Sequence, residues 1–209
     1  MTAWLRERFG SGRRPAASRW VVIDCETSGL DPQRDSLISL GAVAVLDGRI
    51  SPSEAFSATL RQARPSGRDN ILVHGIGGER QVAGEEPSAA LSALLDFAAD
   101  SPRAAWRAAF DRTVIARAAG AAGRTERGLW LDLAELMPVL FPGRAPAEAT
   151  LDRWLEAFSV AHRARHDALG DAYATAQLLQ VALREAGRQG FATVGAVLRA
   201  ARASRWTGR

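Results

Sequence analysis

The chain has 209 residues and a mass of 22.4 kDa, room for one α/β core rather than two full domains. Hydrophobic residues make up 47% and charged residues 24%, with a mean hydropathy of −0.10, a balance that excludes a disordered chain, a fibre and an integral membrane protein. One cysteine and three histidines supply neither a disulfide framework nor a Cys/His zinc site, and the net charge of +4 rests on 27 basic residues, all of them arginine.

Residues 1–19 set Arg6, Arg8, Arg13, Arg14 and Arg19 against Glu7, among Gly, Ser and Pro, and read as a basic arm. Those charges interrupt any run of signal-peptide length, and no later stretch is long and apolar enough to span a bilayer; the expectation is a cytoplasmic protein with no membrane partner. Residues 20–24 are a short apolar β run and 36–46 a second, separated by the turn-forming 29–32; Asp47-Gly48 is a hairpin signal into a strand at 49–51 that 55–61 extends. Residues 62–84 are polar and aperiodic around an apolar island at 71–76, and read as a long loop with a turn of helix. Glu86-Pro87 opens a helix to about 99. A short strand at 104–106, a helix at 110–122 and a strand at 129–133 running into a helix that ends near 140 follow. Thr150 stands where it would cap a helix over 151–157. Leu169, Ala172, Tyr173, Ala176, Leu179, Leu183 and Ala186 fall on one face of a long helix ending at Gly187 or Gly190, and a last helix over 194–203 carries arginines. The expected organisation is a basic arm (1–19), a folded domain (20–190) and a basic C-terminal helix or tail (191–209). The expected fold is α/β, a mixed central sheet flanked by helices.

Asp24 and Glu26 stand two apart at the end of the first strand, so both carboxylates project from one face. Like charges held that close need a cation, and hard Mg²⁺ or Mn²⁺ suits oxygen donors better than zinc. Asp-x-Glu is common by chance; here it is followed by Thr27, Ser28 and Gly29, hydroxyls and a glycine that let a ligand approach the backbone. Two further acids fit the same site. Asp111 follows Phe110 where the strand at 104–106 passes into a helix, and Asp171 closes the segment His166-Asp-Ala-Leu-Gly-Asp171 that opens the long helix. Five residues turn an ideal helix through roughly 140° beyond a full turn. His166 therefore belongs to the approach and Asp171 to the first turns, while Asp167, the rival acid, suits the helix start.

Asp24-Cys-Glu-Thr-Ser-Gly-Leu30, then Ala108-Ala-Phe-Asp111, then His166-x-Ala-Leu-x-Asp171 resemble, in that order, the DEDDh family of 3′-to-5′ exonucleases, the DnaQ-like group of bacterial DNA polymerase III epsilon (proofreading) subunits. The resemblance covers about residues 19–187. It implies a ribonuclease-H-like fold, two divalent cations (Mg²⁺ or Mn²⁺), and release of nucleoside 5′-monophosphates from the 3′ end of single-stranded or frayed DNA. Position by position, it gives Asp24, Glu26, Asp111 and Asp171 to the metals and makes His166 the general base, a role histidine commonly takes near neutral pH. It implies nucleic acid as partner, DNA or RNA, and a polymerase or replication partner. The alternative functions are an RNA or oligonucleotide 3′ exonuclease, or a catalytically weak binding module attached to a polymerase.

Thr27, Leu30, His74, Ile76 and Arg107 are the candidate substrate contacts. Leu30 and Ile76 fit either wedges against terminal bases or core. His74 fits an entrance loop or a turn. Arg107 either touches phosphate or crowds the site, because Trp106-Arg107 fills positions where the family has His-Asn. His162 reads as surface. Cys25, between the two acids, turns to the opposite face as a buried, unreactive residue. The arm together with Arg184, Arg188, Arg199, Arg202 and Arg205 is expected to hold the polyanion.

Overall fold

The computed structural model describes residues 19–146, 149–161 and 166–207, with the backbone alone for 204–207. Residues 1–18 of the arm, His162 and the Arg205 side chain lie outside the described residues.

The two apolar runs form β1 (Arg19–Thr27) and β2 (Leu37–Leu46), paired antiparallel. At the hairpin signal, Asp47 and Gly48 both have positive φ, 49° and 74°, the backbone twist that suits a two-residue turn. The turn leads into β3 (Arg49–Thr59). What the sequence splits into 49–51 and 55–61 is one strand, irregular opposite Val43 and Ala44, so the interruption is a bulge and not a loop. Two three-residue strands, β4 (Arg103–Ala105) and β5 (Trp130–Asp132), add in parallel beyond β1. The sheet order is β3-β2-β1-β4-β5, so β1, β4 and β5 all finish at the same edge.

Between β3 and β4 lie α1 (Arg68–His74), α2 (Gly78–Val82) and α3 (Pro87–Ala98). The expected long loop thus contains two short helices. Gln81 organises them: completely buried, it accepts from the Ser66 backbone N–H (2.8 Å) and donates to Ser66 Oγ (3.0 Å) and Ile76 O (2.8 Å). α3 starts as its Glu-Pro signal implies, with the Glu86 carboxylate accepting from Ala89 N–H. α4 (Ala109–Ala121) follows β4, and α5 (Leu133–Leu140) follows β5 directly. α6 (Leu151–Ala157) begins after Thr150, which has the extended backbone of a cap but makes no side-chain cap bond. α7 (Ala168–Arg188) and α8 (Val194–Thr207) complete the chain. No helix among the described residues is long and apolar enough to cross a membrane.

Strand alternation divides the core in two. Trp20 and Val22 face a cluster built from α5, α6, α7 and α8, while Val21 and Ile23 face a smaller one with α3 and α4. Val197, Leu198, Ala200 and Ala201 belong to the larger cluster. The C-terminal helix is therefore packed into the body of the fold, with Arg199 and Arg202 on its exposed side. One glycine fixes where α7 sits: a Cβ on Gly41 would lie 2.2–2.3 Å from backbone atoms of Ala168 and Leu169. The first turn of α7 rests on the bare backbone of β2 at that point.

Candidate active site

The site is assembled at the edge where β1 ends. Asp24 is paired with Gly41 and Glu26 with Ser39, and paired residues share a face. Both acids thus look toward the start of α7. Regular pairing breaks between Glu26 and Thr27, an irregularity that re-aims the side chains around it.

The start of α7 supplies the partners. Asp167 is its N-cap, accepting from Gly170 N–H at 2.9 Å, so the rival acid is used in holding the helix. His166 takes φ 62°, the left-handed conformation that turns the chain sharply just before the helix. Its backbone N–H donates to Asp171 Oδ2 at 3.0 Å, and Asp171 is buried in the first turn of α7. In consequence ligand atoms of Glu26, His166 and Asp171 all lie within 4.8 Å of one another, with the imidazole residue exposed and Glu26 half-buried. Two carboxylates and a ring nitrogen at that spacing fit a small divalent cation. Asp24 shares their face, but neither it nor Asp111 enters this closest group.

Asp111 comes from the other side of the sheet. It lies in the first turn of α4, only 4% exposed, and its carboxylate accepts from the thiol and the backbone N–H of Cys25. Burial raises its pKa from the ordinary 3.8 to about 7; the charge of Asp132 adds to the rise, and the hydrogen bonds oppose it. Cys25 does turn to the opposite face, packing against the smaller cluster. Burial and then the neighbouring Asp111, Asp24 and Glu26 push its thiol well above the usual range. It is held as a protonated donor to Asp111, in keeping with an unreactive thiol, and it is half-buried rather than fully buried.

The segment between β4 and α4 is pinned by a residue that the sequence reading passed over. One oxygen of Asp132, Oδ1, accepts from the backbone N–H of Arg107 (3.0 Å) and from Ala134 N–H at the start of α5 (3.0 Å). Arg107 has φ 57° and is exposed; Trp106 packs against the larger cluster. The signal was present as Asp132-Leu-Ala-Glu135, an acid at the cap and another three residues on, before an apolar helix.

Behind Thr27 a short relay ties α1 to the strand. Ile76 N–H donates to His74 Nδ1 (2.9 Å), which leaves the ring proton on Nε2 to donate to Asn70 Oδ1 (2.8 Å), and Asn70 Nδ2 donates to Thr27 O (2.9 Å). His74 is buried, and that burial lowers its pKa and keeps it neutral. Thr27 Oγ1 is spent on Gly29 O (2.6 Å), Ile76 is 6% exposed, and Leu30 is 92% exposed. The room expected for a ligand at Gly29 is filled from within: a Cβ there would meet the Asp35 carboxylate at 2.5–2.9 Å. That carboxylate accepts from Ser28 Oγ and Asp31 N–H.

The exonuclease family model RNase T matches residues 21–179. The DNA polymerase III subunit epsilon-like protein of Rhodobacter capsulatus is 32% identical over 183 residues, covering 86% of this chain and 26% of that protein. The PolC-type DNA polymerase III of Thermotoga maritima is 31% identical over 163 residues, 76% of this chain and 11% of that protein. E. coli exonuclease I in complex with a dT13 oligonucleotide superposes with a TM-score of 0.71 at 19% identity, over 83% of this chain and 42% of that one. The zinc-bound exonuclease I–ssDNA complex gives 0.70 at 19% identity, over 82% and 42%. The chain spans about a quarter of the first relative and less than half of exonuclease I. The architecture shared with these structures is the ribonuclease-H-like fold.

Proposed function

The chain belongs to the DEDDh (DnaQ-like) exonuclease family, and on that premise we propose that it is a metal-dependent 3′-to-5′ exonuclease releasing nucleoside 5′-monophosphates from single-stranded or frayed DNA. The observation that carries the reading is the meeting of Glu26, His166 and Asp171 within 4.8 Å, on the face of β1 that Asp24 shares. Asp24, Glu26, Asp111 and Asp171 would hold two cations, Mg²⁺ or Mn²⁺. When bound, such a pair supplies water activation on one side of the scissile phosphate and charge stabilisation of the leaving oxygen on the other. His166, exposed and anchored through its backbone to Asp171, takes the proton of the attacking water on a ring nitrogen. Asp111 serves as a ligand only when ionised, so its elevated pKa links its contribution to pH.

Among the substrate candidates, Leu30 and Arg107 are exposed and are the ones this reading keeps in contact with the strand. Thr27, His74 and Ile76 act through the relay that fixes the end of β1. Residues 20–190 would be the exonuclease domain, preceded by the basic arm (1–19) and followed by 191–209. The names of the relatives favour a replicative polymerase as partner, and the cytoplasm expected from the sequence is kept as the place of action.

A gel assay of 5′-labelled single-stranded DNA and matched RNA, with Mg²⁺ or Mn²⁺, tests the proposal beside Asp24→Ala and His166→Ala proteins. A cation-dependent 3′-end ladder, absent from both variants and stronger on DNA, is the expected result. Intact oligonucleotide with the unaltered protein and either cation would sink it.

A further inference from the structure

A cavity of about 290 Å³ opens at the same sheet edge, on the far side of Asp111 from β2. Its lining joins Trp130 on β5, which also packs against the smaller core cluster, Arg112 on α4 next to Asp111, Arg202 on α8, and Asp132 and Glu135 at the start of α5. Ala108 and Ala109, three and two residues before Asp111 where α4 begins, also line it. The cavity and the metal-ligand candidates therefore meet at the first turn of α4. Crevices beyond the carboxyl ends of parallel strands are where open α/β sheets receive their ligands.

We infer that this cavity is a further nucleotide subsite, taking the unpaired nucleotide third from the reacting 3′ end, with Arg112 and Arg202 on its flanking phosphates and Trp130 beside its base. The inference rests on the proposed exonuclease reading and extends it to how the strand leaves the site. The size is at the small end for ligand pockets, which run from about 300 to 1,000 Å³, and admits a single nucleotide but no duplex. The charge pattern points the same way. Two arginines and two acids in one lining do not suit a free multiply charged anion. They suit a ligand with one phosphate at each end of an uncharged body, which is what a nucleotide within a strand presents. Arg112 and Arg202 are both exposed, on helices that pack against opposite faces of the sheet, so a strand passing between them would be gripped from two sides. An aromatic wall tolerates any base, because every base has a face to stack.

Steady-state kinetics on the series dT2 to dT8 with Mn²⁺ tests the subsite. The unaltered protein should lower its KM on the order of tenfold as the substrate grows past the two nucleotides that fill the reacting position and its neighbour, in line with the strength of base stacking and phosphate contacts. The Arg112→Ala/Arg202→Ala protein should lose that dependence, its KM staying nearly level from dT2 to dT8. Full length dependence in the double variant would overturn the subsite. A second measurement uses Asp24→Ala protein, which should not degrade the probe, and dT6 carrying 5-iodo-dU third from the 3′ end. Photocrosslinking should fall on the peptide containing Trp130; a crosslink confined to α1 or α2 would also overturn it. The outcomes separate the two proposals: no cleavage of any oligonucleotide removes the exonuclease reading, whereas cleavage that ignores length removes the subsite alone.

Discussion

Two helix starts deliver acids to the same strand end from opposite faces, and they do so under different electrostatics. At α7, Asp171 is buried but meets Glu26 and an exposed imidazole, and the approach is held by the Asp167 cap and the His166 N–H. At α4, Asp111 is buried beside a thiol, with its pKa raised to about 7 by that burial. The α7 side gathers two carboxylates and an imidazole, the groups the proposed mechanism uses as ligands and base. The α4 side is a carboxyl whose charge is costly until something positive shares it. A sequence motif that counts four acids as equals conceals this asymmetry.

The largest effect expected is on the α7 side. His166→Ala should lower kcat by roughly 10² to 10⁴, the range for loss of a general base. Asp171→Ala should cost at least as much, because it removes a ligand and the acceptor that anchors His166. Single-turnover cleavage of labelled DNA reads both. Equal losses from His166→Ala and from a distant surface change such as Arg34→Ala would erase the distinction between the two helix starts.

Gly41→Ala tests the packing that sets the α7 cluster without touching any acid. The added methyl overlaps backbone of Ala168 and Leu169, and overpacking of this kind costs about 1–3 kcal/mol. Thermal unfolding should report that loss, and kcat should fall with it, since α7 must move off β2 and carry Asp171 with it. A normal Tm and normal turnover would mean the close approach is not what positions the helix.

The α4 side is read through pH. An unfolded Asp111 ionises near its ordinary 3.8, whereas the folded one holds its proton to about 7. Between those values the folded state binds more protons than the unfolded one, so stability of the metal-stripped protein falls as pH rises from about 4 to 7 and levels off above. One such group sets a slope of at most about 1.4 kcal/mol per pH unit. Denaturant titrations in EDTA should show that decline, Asp111→Asn should remove it, and Mn²⁺ should stabilise the unaltered protein more at pH 7.5 than at pH 5. A slope that persists in Asp111→Asn would assign it to another group.

Much of this was legible in the sequence because the signals are local. Asp47-Gly48 demands a tight hairpin and gets one, the apolar stripe from Leu169 to Ala186 buries as a helix face, and the five-residue step from His166 to Asp171 places one before the helix and the other inside it. The readings that failed depend on side-chain contacts that leave no periodic signal in the sequence. Gly67 and Gly77 precede α1 and α2 with no side-chain cap, and those helices are held by the buried Gln81 and His74, whose partners no periodicity reveals. Gly29 looked like an opening for ligand, yet Asp35 folds back into that space. Asp132 was the exception: its capping pattern was local and readable, but its second bond, to Arg107 across 25 positions, was not.

The finest test of the comparison is Cys25, which touches the α4 acid while its two chain neighbours serve the α7 side. Its thiol is pushed up by burial and by three carboxylates, so it cannot act as a thiolate nucleophile near neutral pH; what it gives is a proton to share with Asp111. Cys25→Ala removes that donor, leaves Asp111 with backbone N–H donors only, its own and that of residue 25, and should weaken Mn²⁺ binding roughly tenfold, the low end for loss of a partner that orients a metal ligand. Cys25→Ser restores an O–H donor of nearly the same shape and should recover most of the affinity, although its shorter bond to the oxygen leaves a small gap against the α3 and α4 core. Isothermal titration with Mn²⁺ separates the cases: rescue by serine assigns the effect to the hydrogen bond, and equal losses in both variants assign it to packing, in which case the α4 acid is held by burial alone.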